Sequence, residues 1–137
     1  MRTLPTAPCH RPSRPRRRGP ALAALLAWLP ALAAAQLAPV ARQEVDALLR
    51  AVGTSGCEFV RGGTAHPAAK AQDHLQQKFD YLDARGLLKT AEDFIAKAGT
   101  RSSMTGEAYA IRCPGTAQQA SDEWLLARLK ALRAARR

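Results

Sequence analysis

The sequence predicts a small α+β domain, helix-dominated, with a two-stranded antiparallel ribbon and one disulfide. Three observations carry this expectation. Four segments repeat apolar residues at helical spacing. Two short segments, Cys57–Arg61 and Ala108–Cys113, alternate as strands do. A leader-like start sets Cys9 apart, which leaves Cys57 and Cys113 as an even pair.

The chain opens with five arginines between Arg11 and Arg18, followed by an apolar run from Ala21 to Ala33 and the small residues Ala33-Ala34-Ala35. Basic, then apolar, then small is the layout of a secretory signal peptide. The expected cut lies between Ala35 and Gln36, so residues 1–35 are read as a cleaved signal and 36–137 as a single domain with a basic C-terminal tail. The run is shorter than the roughly 20 apolar residues of a spanning helix and contains Pro30. A retained signal anchor is the alternative. Arg17-Arg18 lacks the apolar continuation of a twin-arginine signal.

Residues 36–39 read as a short leader to the domain. From Val40 to Val52, Ala41, Val45, Leu48, Leu49 and Val52 fall at helical spacing, and Gly53 is a natural stop. Cys57–Arg61 follows as a strand that Gly62-Gly63 ends. Pro67 suits the start of a second helix, with Ala68, Ala71, Leu75, Phe79 and Leu82 as its stripe and Arg85-Gly86 as its close. Thr90 is the expected cap of a third helix, with Asp93 completing an approximate capping box and Gly99 ending the segment. Arg101–Gly106 is a polar loop, and Pro114-Gly115 stops the second strand. Ser121 is the expected cap of a last helix reaching about Ala134. Asp122 and Glu123 sit at its positive dipole end and the basic tail at its negative end.

Charge and cysteine content narrow the function classes. The formal charge of +10 falls to about +4 once the six arginines of the signal are set aside. Five of the remaining basic residues, Arg128 to Arg137, crowd the tail. No extended basic face remains for nucleic acid. An even cysteine pair in an exported domain favours a Cys57–Cys113 bridge, which a chain-entropy argument values at about 4 kcal/mol. Two buried thiols are the alternative. Zinc has weaker support, because His66 and His74 lack ligand spacing. No metal, cofactor or catalytic residue is expected.

At this point the local words resemble a known family. They are Ser55–Arg61, His74-Leu75 with Lys78 and Tyr81-Leu82, Thr90–Ile95, Arg101–Gly115, and Trp124-Leu125. Together they resemble the YfeK-like family of small exported bacterial proteins of unknown function, over roughly Glu44 to Leu132. The resemblance implies a Gram-negative periplasmic setting and a helix-rich domain, and no activity. Thr105 departs from the serine expected before Gly106.

Several constellations are candidates for binding. His74, Lys78, Tyr81 and Arg85 fall on one side of the second helix, as an anion-binding strip or as a solvated shoulder of the core. Arg61 and Arg112, if the strands pair, could share a face with Arg101 nearby and hold a carboxylate or phosphate. The plain alternative is pairing with Glu58 or Glu107. Ser102, Ser103 and Thr105 are loop hydroxyls without a G-x-S-x-G context. Glu58, Glu92, Asp93 and Glu107 show no spacing that favours glycoside hydrolysis. Thr105-Gly106-Glu107-Ala108-Tyr109 resembles the S-G-x-x-Y loop of bacterial lysozyme inhibitors. The tail could meet anionic lipid or wall polymer, or serve the helix dipole and solubility.

The expected function is therefore a non-enzymatic, periplasmic envelope protein that binds or modulates an unknown envelope protein or an anionic ligand, with no nucleic acid and no stable membrane insertion after cleavage. The runner-up is an inhibitor of a cell-wall hydrolase of lysozyme type acting through Ser102–Tyr109.

Overall fold

Residues 36–137 are described by the computed structural model, and the signal segment 1–35 expected from sequence lies outside them. Helix α1 spans Pro39–Gly53 and buries Val45, Leu48, Leu49 and Val52, the i, i+3, i+4, i+7 stripe of an amphipathic helix. The preceding stretch is more than a leader, because Leu37 is buried in the core. Helix α2, Ala68–Ala84, buries Ala68, Ala71, Leu75 and Phe79. Its alanines permit a close approach to the sheet. Helix α3, Ala91–Phe94, begins with the capping box foreseen between Thr90 and Asp93. It then widens into a π turn, Ile95–Gly99, where the Thr100 hydroxyl donates to the Ile95 carbonyl at 2.9 Å. Helix α4, Ser121–Ala135, buries Trp124, Leu125 and Leu129.

The ribbon forms as drawn and is the centre of a larger sheet. Strand β1, Glu58–Arg61, pairs antiparallel with β3, Ala110–Arg112, placing Glu58 opposite Arg112 and Phe59 opposite Ile111. Continued by one residue, this register sets Cys57 opposite Cys113, and the disulfide joins them. Two further strands flank the pair, giving the order β2-β1-β3-β4. Strand β2 is Thr64–Pro67 and β4 is Gln119–Ala120. Gly62-Gly63 ends the first strand as expected and turns the chain back into β2. Both glycines have positive φ, 53° and 73°, as a two-residue hairpin turn of type I′ requires.

One core holds these layers together. Phe59 meets Trp124 edge-on at 6.0 Å, and Phe79 meets Phe94 in the same way at 5.8 Å. Gly99 is buried where a Cβ would lie 2.5 Å from Leu125 Cδ1, so the π turn packs directly on α4. At the edge of this core Arg133 ties three helices. Its Nε and Nη2 donate to both oxygens of Glu44 on α1, at 2.9 and 2.8 Å, and its Nη1 donates to Glu92 on α3 at 2.6 Å. Arg133 and, more loosely, Arg136 thus belong to the fold's interior charge pairing rather than to a free basic tail.

Candidate functional site

Alternation along the strands decides which side chains can meet. In an antiparallel pair, residues directly opposite share a face, and successive residues alternate. Phe59 and Ile111 therefore point toward the helices, with Arg61 and Tyr109 two positions on along the same face. His66 joins them, because it lies opposite Phe59 on β2. Glu58 and Arg112 project from the other face, where Arg112 Nη2 donates to Glu58 at 2.6 Å. The expectation that Arg61 and Arg112 share a face is thus overturned, since their positions differ in parity.

On the Arg61 side, the sheet and the N-terminal half of α2 enclose a cavity of about 270 Å³. Its inner wall is apolar, from Phe59, Ala71 and Leu75. Its polar lining is unequal in sign. Arg61, His66, Lys70 and His74 are donors or cations, Tyr109 and Ser121 bring hydroxyls, and Asp73 is the acid among the lining residues. Lys70, His74 and Lys78 follow at four-residue steps, which places them on one stripe of α2. Lys78 lies behind the cavity, its Nζ 5.1 Å from the centre of the Tyr109 ring. It donates to the carbonyls of Ala98 at 2.9 Å and Arg101 at 3.0 Å, tying α2 to the end of the π turn.

The Arg61–His74–Tyr109 contact is the chemical centre. Arg61 Nη1 stands 3.1 Å from His74 Nδ1 and 3.2 Å from Nε2. A single nitrogen nearly equidistant from both ring nitrogens lies along neither lone pair, so this is a stacked contact more than a directed hydrogen bond. His74 Nε2 is 3.3 Å from the Tyr109 hydroxyl. Arginine has no acceptor, so a neutral His74 meets it best with a bare Nδ1 and donates from Nε2 to the phenol oxygen. Burial favours that neutral form by lowering the His74 pKa, and the charges of Arg61, Lys78 and His66 act in the same direction. Burial lowers the Lys78 pKa, with the Arg61 charge adding to it, and raises that of Tyr109 against the opposing influence of Arg61 and the Ser102 hydroxyl.

Two features leave donor capacity facing the cavity. Arg61 makes no ion pair among the described residues, whereas Arg42, Arg112, Arg133 and Arg136 each have a carboxylate. Ser121, only 1 % exposed, brings its hydroxyl to the cavity lining. Ser121 does not cap α4 as expected. The cap position falls to Ala120, which β4 holds in extended backbone, and the Ser121 amide donates to the Tyr109 carbonyl at 3.0 Å.

The other candidates lie elsewhere. Tyr81 is 56 % exposed and covered by Arg85 at 3.7 Å, so the upper half of the expected strip is a separate surface pair. The Arg101 side chain is exposed and outside the cavity lining. Ser102 shapes its own loop, accepting from the amides of Met104 at 3.3 Å and Thr105 at 3.2 Å. Ser103 is exposed, and the Thr105 hydroxyl accepts from the Glu107 amide at 3.3 Å. Tyr109 is buried against His74, so the loop does not present its aromatic ring to a partner's cleft. Lys70 escapes the sequence reading, which weighs His66 only as a zinc ligand and Ser121 only as a helix cap. The hairpin signal Gly62-Gly63 could have found His66 by placing it opposite Phe59. Among the described residues no group of three His, Cys, Asp or Glu side chains could hold a metal ion, and no helix is long and apolar enough to cross a membrane.

The fold and cavity define a small, disulfide-bridged, helix-rich α+β domain with a donor-lined pocket. Residues 39–133 match the family of unknown function DUF5329, and the chain belongs to that family. It is also 39 % identical over 90 residues to the uncharacterized protein YfeK of Salmonella typhimurium strain LT2, an alignment covering 65 % of this chain and 72 % of that protein. The resemblance read in the sequence is thereby established. No solved structure matches the chain.

Proposed function

We propose that this protein is a non-enzymatic binding module whose cavity takes a small ligand bearing an oxyanion. The observation that carries the reading is the Arg61 guanidinium, without an ion pair among the described residues, held against the His74 imidazole at the wall of a cavity whose polar lining is mostly donors. A guanidinium without an ion-pair partner gains most from a carboxylate or phosphate that accepts two parallel hydrogen bonds. Next to a histidine whose neutral form is favoured, it has no competing carboxylate to displace. The signal-like residues 1–35 and the Cys57–Cys113 bridge support action in the periplasm of a Gram-negative bacterium.

Thermal unfolding of the purified chain with acetate, phosphate or sulfate, against chloride at matched ionic strength, tests the reading. An oxyanion at about one hundred times its dissociation constant stabilises the folded state by roughly 2.7 kcal/mol, a shift of several degrees. Arg61→Gln should abolish the shift. Equal melting temperatures in all salts, or an undiminished shift in Arg61→Gln, would refute it.

A further inference from the structure

The cavity is larger than an oxyanion needs, and part of its wall is apolar. We infer that its ligand is an organic carboxylate with a compact apolar body, its carboxylate at Arg61 and its body against Phe59, Ala71 and Leu75. This rests on the proposal that the cavity binds an oxyanion, and it specifies what else the ligand carries. At liquid density, about 270 Å³ holds on the order of ten non-hydrogen atoms, several times an acetate ion. Part of the wall is made of side chains that offer no hydrogen bond. Phe59, Ala71 and Leu75 are 7 %, 8 % and 4 % exposed, and they continue the core as an apolar wall. Water filling that part of the cavity would have few partners, so displacing it by an apolar group is favourable.

The polar groups are placed unevenly around that wall. The donors that favour an oxyanion, Arg61, Tyr109 and Ser121, come from the sheet and from the start of α4. His74 itself stacks on Arg61 and meets the Tyr109 hydroxyl through Nε2. Lys70, Asp73 and Gln77 come instead from exposed positions of α2, at the solvent side of the cavity. A ligand with its carboxylate on the sheet side would lay its body along Ala71 and Leu75, with any second polar group toward Asp73 and Gln77. A bare inorganic anion satisfies only the first part of this arrangement. A neutral apolar molecule would leave the Arg61 fork unpaired.

The test is a homologous series of acetate, butyrate and hexanoate, titrated by calorimetry into the full chain at one ionic strength, with hexanamide as the uncharged control. Each buried methylene should tighten binding about fourfold. Hexanoate should therefore bind far more tightly than acetate, and hexanamide should bind weakly. Ala71→Leu, which fills the apolar part, should flatten the series. A series that is flat in the unmodified chain, with acetate still bound, overturns this inference and leaves the oxyanion site standing. Absence of binding by acetate, phosphate and every longer acid defeats the site itself.

Discussion

Replacing Arg133 by alanine leaves the Glu44 carboxylate buried beside α4 without its two hydrogen bonds. The Glu44 side chain is 7 % exposed, and Arg133 meets it through Nε and Nη2 at 2.9 and 2.8 Å. Breaking a buried pair by removing one partner costs about 3–5 kcal/mol, because the remaining charge is uncompensated. Two features reduce that figure here. Arg133 is itself 41 % exposed, so water already screens part of the pair, and Arg136 Nη1 remains 3.9 Å from Glu44. The Glu92 arm, 45 % exposed, adds a few tenths of a kcal/mol at most. The expected loss is about 2–3 kcal/mol at neutral pH, or roughly 10–20 °C in Tm for a domain of this size. Urea unfolding followed by far-UV circular dichroism measures it. The hydrogen bonds from Arg133 hold the Glu44 pKa below the ordinary carboxylate range. A depressed carboxylate contributes stability above its unfolded pKa and loses that contribution as pH falls through the folded value. The gap between the unmodified chain and Arg133→Ala should therefore narrow on acidification. Adding Glu44→Gln to the variant should recover about 1 kcal/mol or more, since the orphaned charge is gone. A loss below about 1 kcal/mol at neutral pH, or a gap unchanged in acid, would refute the staple.

Two other predictions concern the core and the cavity. Gly99→Ala should destabilise by about 1 kcal/mol net, despite alanine's better helix propensity, because the new Cβ would meet buried Leu125 Cδ1 at 2.5 Å; a raised urea midpoint would contradict this. His74 should titrate below the ordinary histidine range in an NMR pH series, and Arg61→Gln should move it upward. Because the folded form resists protonation, the His74 contribution to stability should weaken as pH falls below about 6.5 and level off once the folded imidazole is charged. An unshifted His74 would show that the cavity does not desolvate it.

Much of the fold was legible because its signals are local. The apolar stripe of α1, the Thr90–Asp93 capping box and the alternation of Cys57–Arg61 each need only a few neighbouring residues. What escaped depends on partners distant in sequence. Strand β4 has two residues, too few for any period, and is extended only because β3 lies beside it. The π turn ends where Gly99 meets Leu125, which no spacing within Thr90–Gly99 reveals. Ser121 has every local mark of a helix cap. It is drawn inward because Ala120 is already committed to the sheet.

The candidate site divides along the same line, and half of it follows from the disulfide alone. Once Cys57 is set opposite Cys113, counting four residues along each strand sets Arg61 opposite Tyr109. Counting one sets Glu58 opposite Arg112. Parity alone then puts the two arginines on different faces and pairs Arg112 with the carboxylate beside it. Arg61 is left facing an aromatic residue, with no acid in register. The other half comes from α2, whose docking on the sheet brings His74 to the Arg61–Tyr109 pair. The helical wheel limits that choice to one stripe, Lys70, His74 and Lys78, but not its height along the sheet. That height is fixed by the burial of Ala71, Leu75 and Phe79 in the common core. Arg61 thus owes its position to strand register and its imidazole neighbour to the docking of α2, and a guanidinium without a carboxylate at the wall of a donor-lined cavity results from the two together.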